Sequence, residues 1–185
     1  MTASPPLSVF VTRGGRTESC HAVHAVVTDA EGRLVEAWGD PHTPTFFRSA
    51  AKPFQALPLV EDGVAAALEL GPEHLALACG SHSGEPGHVA VARDLLRRAG
   101  ADEEALECGP HPPFHEPSAK ALCASGLEPR PVHNNCSGKH AGMIALARHH
   151  GWPVAGYRLA EHRVQARMRD EVARWTGLAP HALGE

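Results

Sequence analysis

Strand-forming sequence in this chain is confined to the first 38 residues. LSVFVTRGG (7–15), HAVHAVVT (21–28) and RLVEAW (33–38) are rich in β-branched and aromatic residues and read as strands. Asp29-Ala-Glu-Gly32 is a turn signal, so the second and third strands pair as a hairpin. Beyond Trp38 the apolar residues recur at helical spacing instead. An antiparallel sheet needs one face covered, and the later helices are what can cover it. The expected class is therefore α+β, a mixed α/β chain with an antiparallel sheet and helices in a single domain over 1–185.

Gly and Pro mark where the helices begin and end. GDPHTPTFF (39–47) reads as a loop, and a helix starts near Ser49 with Pro53 in its first turn. It bends or breaks near Pro58 and stops at Gly63. Further helices are expected at 64–69, 72–78, 87–99, 117–125 and 138–150, with a Pro-rich loop at 108–116. The strongest amphipathic pattern is 161–175, where Val164, Met168, Val172 and Trp175 share one face. LAPHALGE brings no returning strand, so the fold is either mostly helical or continued beyond residue 185.

Net charge is −4 and no basic stripe occurs, which argues against nucleic acid as a partner. MTASPPLSVF has neither the basic start nor the apolar run of a signal peptide, and no segment is long enough to span a membrane. The five cysteines are scattered and odd in number, which fits reduced thiols and a cytoplasmic setting. Cys20, Cys79, Cys108 and Cys123 are expected as buried small residues rather than ligands.

The lysines are the first chemical clue. Of 17 basic residues only Lys52, Lys120 and Lys139 are lysine, and two of these follow a nucleophilic side chain by three positions: Ser49-Ala-Ala-Lys52 and Cys136-Ser-Gly-Lys139. Arginine serves a solvated surface equally well, but it does not give up its proton, whereas a buried lysine can. Residues i and i+3 share a helix face, so Lys52 is placed to take the proton of Ser49. The alternative is an N-capping serine beside a surface lysine.

Two more clusters are polar beyond what their elements need. GSHSGEPGH (80–88) is a loop carrying Ser81, His82, Ser83 and Glu85, hydroxyls and a carboxylate suited to an amino acid's ammonium or amide. Its simpler reading is a capped loop, with Ser83 or Glu85 serving the next helix. HNNCSGKH (133–140) precedes the apolar stretch AGMIALA. A thiol at a helix N-terminus is acidified, so Cys136 is a candidate nucleophile or metal ligand, with His133 and His140 as partners. The spacing is not that of a zinc finger, and Asn135 or Ser137 as a cap accounts for part of it.

RSAAKPFQALPLVEDG, ACGSHSGEPGH and HNNCSGKHAGMIALA, in this order, resemble the rhizobial-type L-asparaginase II family. The resemblance covers nearly the whole chain to about residue 180. It implies a fold like serine β-lactamases and glutaminases, and hydrolysis of L-asparagine to L-aspartate and ammonia. It implies Ser49 as nucleophile, Lys52 as its base and Ser81 as the serine of a second Ser-Lys pair. Arg48, His82, Glu85 and Asn134 fall to substrate binding, and Cys136 and Lys139 to a zinc ion near the substrate. A homodimer is implied as well.

Relatives of this kind are nearly twice as long, with a further metal-binding cysteine and the second catalytic lysine in the added part. No cysteine follows Cys136 and no lysine follows Lys139. The expectation is an N-terminal portion, incomplete at the C-terminus. The competing readings are another β-lactamase-like amide hydrolase, a non-catalytic metal-binding fragment, and an amidase that uses Cys136 as nucleophile.

Overall fold

The computed structural model describes residues 4–183. By its contacts the chain divides into two compact units, Met1–Phe46 and Phe47–Glu185.

The first unit is two antiparallel ladders rather than one sheet. Strands β1 (Leu7–Arg13) and β2 (Arg16–Val23) pair from Leu7↔Val23 to Arg13↔Arg16. Gly14 and Gly15 join them with φ of 54° and 77°. A two-residue hairpin needs two left-handed residues, and only glycine takes that conformation without strain. This corrects the sequence reading, which placed Gly14-Gly15 at the end of a strand and missed residues 16–20 as a strand.

Strands β3 (Ala25–Thr28) and β4 (Leu34–Trp38) form the expected hairpin. Its turn is held by Asp29, whose Oδ1 accepts the N–H of Glu31 (3.0 Å) and of Arg33 (2.8 Å). The stretch 21–28 is not one strand. His24 divides it, and its Nδ1 accepts the Asp40 N–H at 3.0 Å.

The second unit is helical. The expected helix at 49–61 is three pieces: a 3₁₀ turn Arg48–Ala51, α1 (Lys52–Ala56) and α2 (Pro58–Glu61). Pro58 has no N–H to continue the ladder, so α1 ends before it, and Gly63 at φ 80° closes α2. Then come α3 (Val64–Ala67), α4 (Pro72–Ala78), α5 (Pro86–Arg98), α6 (Glu116–Ala124), α7 (Ser137–His149) and α8 (Arg163–Thr176).

Helix α7 is the centre of this unit. Ala141, Gly142, Met143, Ile144, Ala145, Leu146 and Ala147 are all buried, so the helix is enclosed on every side. Its approach to α4 and α2 is close. A Cβ on Gly138 would lie 2.6 Å from Leu77 O, and one on Gly142 would lie 3.1 Å from Leu59 Cδ1. This fit brings the start of α7 against the end of α4, and so brings residues 133–139 beside residues 80–85.

Helix α8 departs from its sequence pattern at one end. Val164 and Met168 are buried as expected, but Trp175 is 58% exposed and Glu171 takes the inner position. Three donors hold that carboxylate: Arg167 Nη1 at 2.8 Å, Arg174 Nε at 3.0 Å and the Trp175 indole N–H at 2.7 Å. The cysteines also differ from expectation, since Cys20 and Cys123 are exposed.

Candidate active site

Three segments of the second unit converge on the Nζ of Lys52. The side chain is 4% exposed and enters from the first residue of α1. Its Nζ lies 3.1 Å from Gly80 O, 2.6 Å from Ser81 Oγ and 3.2 Å from Cys136 Sγ. Three acceptors match the three protons of an ammonium group. They also match a neutral amine, whose lone pair would face one hydroxyl while two N–H groups keep the other contacts.

Ser49 is not among these partners. The 3₁₀ turn sets its hydroxyl outward, and Ser49 and Ser81 are both exposed. The connection runs through Ser81, whose Oγ donates to Ser49 Oγ at 3.5 Å. The structure thus brings together Ser49, Ser81 and Lys52 in a line, with the lysine beneath and the two hydroxyls at the surface. Arg48, just before Ser49, is exposed and has φ 51°, a left-handed backbone that a non-glycine residue rarely adopts.

The remaining expected residues fall into two groups. Glu85 is half-buried and accepts the Ser83 hydroxyl at 2.7 Å. That bond holds its carboxyl below the usual range against the opposing effect of desolvation, with His115 and His88 adding to the lowering. His82 and Asn134, in contrast, are bound into the protein. His82 is 8% exposed, with Nδ1 accepting the Gly84 N–H at 3.1 Å and Nε2 2.9 Å from Ser137 Oγ. Asn134 donates to Cys108 O (3.0 Å) and Gly109 O (3.2 Å), and its Oδ1 accepts the Cys136 N–H at 2.8 Å. This last bond, and not a side chain of Asn135 or Ser137, orders the chain entering α7.

Two lysines lie close to Cys136. Lys139 lies in the first turn of α7, and burial lowers its pKa, as does the nearby charge of Lys52, with Cys136 opposing. Burial pushes the Cys108 thiol up to about 11 and raises that of Cys79, so neither is a ready thiolate. His140 is pushed down to about 4 by burial and by Lys139 and Lys52.

His140 is also oriented by a residue that sequence reasoning missed. Tyr157 is fully buried, and its Oη accepts the Glu107 N–H at 2.8 Å. Its own proton is then directed to His140 Nδ1 at 2.7 Å. No local signal marks Tyr157, because its partners lie 50 and 17 residues away in sequence.

Among the described residues, the groups present do not assemble a zinc site. Zinc takes four ligands in a structural site and three plus water in a catalytic one. Cys136 and Lys139 supply two, and among the described residues no three of His, Cys, Asp and Glu gather to hold a metal ion. Cys136 Sγ is already a partner of Lys52 Nζ. No helix among the described residues is long and apolar enough to cross a membrane.

A buried lysine thus lies beneath two surface hydroxyls, one of which, Ser81, shares its loop with the half-buried Glu85. No curated protein matches the chain significantly. A family model described as L-asparaginase II matches residues 9–184, nearly the whole length. The chain belongs to the L-asparaginase II family.

Proposed function

We propose that this protein hydrolyses the side-chain amide of L-asparagine to L-aspartate and ammonia through an acyl-enzyme on Ser49. The observation that carries the reading is the line Ser49 Oγ–Ser81 Oγ–Lys52 Nζ, with steps of 3.5 and 2.6 Å. Family membership supplies the substrate class.

With Lys52 as an ammonium, hydrogen bonds run outward from Nζ to Ser81 and from Ser81 to Ser49. With Lys52 neutral, the line reverses: Ser49 donates to Ser81, and Ser81 donates to the Nζ lone pair. Ser49 Oγ then attacks the amide carbon while its proton moves through Ser81 to Lys52. The same line returns the proton to the leaving nitrogen, and ammonia departs from an aspartyl ester. Water attacks that ester, its proton again passes to Lys52, and Ser49 recovers a proton as aspartate leaves. The long Ser81–Ser49 step is one that substrate binding would tighten.

For the substrate's own charges, the exposed Arg48 is the group for the α-carboxylate and the ionised Glu85 the group for the α-ammonium. Zinc enters no step, since the residues present do not make its site.

The test is Ser49→Ala, which should abolish ammonia release from asparagine in a folded protein. Unchanged turnover sinks the reading. A second reading rests on the 3.2 Å Lys52–Cys136 contact, which would make Cys136 the nucleophile and Lys52 its base. Mass analysis of the quenched acyl-enzyme separates the two: an added aspartyl group on the Ser49 peptide supports the first, and one on the Cys136 peptide supports the second.

A further inference from the structure

His82 sits where the loop bearing Ser81 meets the segment bearing Cys136. Its ring is 8% exposed, and Nδ1 faces the Gly84 N–H at 3.1 Å, so Nδ1 carries the lone pair. The ring proton is therefore on Nε2 and is donated to Ser137 Oγ at 2.9 Å. Ser137, with no exposed surface, passes its own proton to Val132 O at 2.9 Å. The His82 main-chain N–H donates to Asn135 O at 3.0 Å. Two bonds from His82, to Ser137 and to Asn135, thus fasten the 80–85 loop to residues 132–137, and the Gly84 bond holds the ring within its own loop.

The loop has little freedom to escape this arrangement. Gly84 stands at φ 76°, and a Cβ there would lie 2.9 Å from Pro113 and 3.1 Å from His133 O. His82 and Ser137, joined by this bond, are each next to a partner of Lys52. Ser81 precedes His82, and Cys136 precedes Ser137. Any shift of the ring therefore moves Ser81 relative to the lysine.

We infer that His82 is a positioning residue for the reaction: clasped between Gly84 and Ser137, its imidazole fixes the Ser81 hydroxyl over Lys52. This rests on the Ser49–Ser81–Lys52 reading of the site. His82 has no ring atom left for the substrate, which separates this role from the substrate-binding one expected from the sequence. Its burial, with His88 stacked at 5.3 Å and Lys52 nearby, keeps the imidazole uncharged.

The experiment compares Ser137→Ala, His82→Ala and His82→Gln in the full chain. Misplacing a reacting group by about 1 Å can lower a rate by roughly 100-fold. On that scale His82→Ala is expected to lower kcat about 100-fold and Ser137→Ala about 10-fold, with KM within about threefold of wild type. His82→Gln keeps a donor toward Ser137 and should recover part of the loss. Folded variants with wild-type kcat, or with raised KM and intact kcat, overturn the positioning role.

Two readings need no activity. Imidazole ¹⁵N spectra of the wild type should show the Nε2–H tautomer, and amide exchange at His82 and Gly84 should quicken in Ser137→Ala. An Nδ1–H tautomer, or unchanged exchange, overturns the clasp itself. A wild type with the expected tautomer but no hydrolysis of asparagine or glutamine sinks the reading of the site. The positioning role falls with it, while the clasp remains established.

Discussion

Lys52 reaches Ser81 at 2.6 Å, and it is Ser81, 3.5 Å away, that meets Ser49. The three-residue spacing that suggests a direct Ser49–Lys52 pair instead leaves the lysine one hydroxyl away from Ser49. On the proposed relay, Ser81 is as necessary as Lys52. Ser81→Ala is expected to lower kcat for asparagine by about 100-fold or more while leaving KM near wild type, the scale of a lost proton-transfer group. Lys52→Arg puts a guanidinium that cannot accept a proton in place of the amine, and should lose at least as much. Steady-state ammonia release measures both. A Ser81→Ala enzyme with full kcat would return Lys52 to direct contact with Ser49.

The fit of α7 against α4 gives a stability prediction. Gly138→Ala places a methyl group 2.6 Å from Leu77 O, backbone that cannot turn aside. Overpacking of this kind costs about 1–3 kcal/mol. Gly142→Ala meets the Leu59 side chain at 3.1 Å, which can shift by a few tenths of an ångström, and should cost less. Urea denaturation midpoints decide the order. If Gly138→Ala is the milder change, the close approach of α7 to α4 is not as described.

The helices and the Asp29–Gly32 hairpin were legible in the sequence because their signals are local: Pro at first turns, Gly at ends, apolar spacing between. The Gly14-Gly15 hairpin has a local signal too, two adjacent glycines between β-branched stretches, which a single strand over 7–15 runs past. What lay outside local reach was partnership. Ser49, Lys52, Ser81 and Cys136 were each singled out by residue type and neighbours. That Lys52 binds Ser81 rather than Ser49 depends on how α1, α4 and α7 pack. Tyr157, Ser137 and Glu171 had no sequence signal of their roles, since each acts through a residue distant in sequence or replaces an apolar residue on a patterned face.

Stability should depend on pH through His82. Burial, then the charges of His88 and Lys52, lower its pKa from 6.5 to about 4 in the folded protein. The unfolded chain takes up a proton below about 6.5 that the folded chain refuses until about 4. Stability from this group is therefore full above 6.5 and is lost as pH falls toward 4, by roughly 3 kcal/mol at the lower end. Chemical denaturation between pH 7.5 and 4 checks this. His82→Gln should make the slope in that window shallower, with His140, also lowered to about 4, supplying part of what remains; an equally steep slope in the variant would assign the dependence to other groups.

The ion network between α2 and α8 makes the last prediction. Glu171 is 2% exposed, and Arg167 ties it at 2.8 Å while also binding Asp62 through Nη2 at 2.8 Å. Arg174 contacts Glu171 and Glu61. Burial alone would raise the Glu171 and Asp62 pKa values, but it is outweighed by Arg167 together with Arg174 and Trp175 at Glu171, and by Arg167 together with His150 at Asp62, so both carboxyls are held below their usual range. Removing one partner of a buried pair leaves an uncompensated charge and costs about 3–5 kcal/mol. Arg167 is about a quarter exposed and Arg174 remains, so Arg167→Ala is expected near the bottom of that range, about 3 kcal/mol. Replacing both ends with apolar residues, as in Arg167→Met with Glu171→Leu, removes the stranded charge and should recover most of the loss. The double variant's denaturation midpoint is the discriminating measurement. If it lies as low as that of Arg167→Ala, the cost of the single change comes from lost packing of the arginine stem and not from the charge left on Glu171.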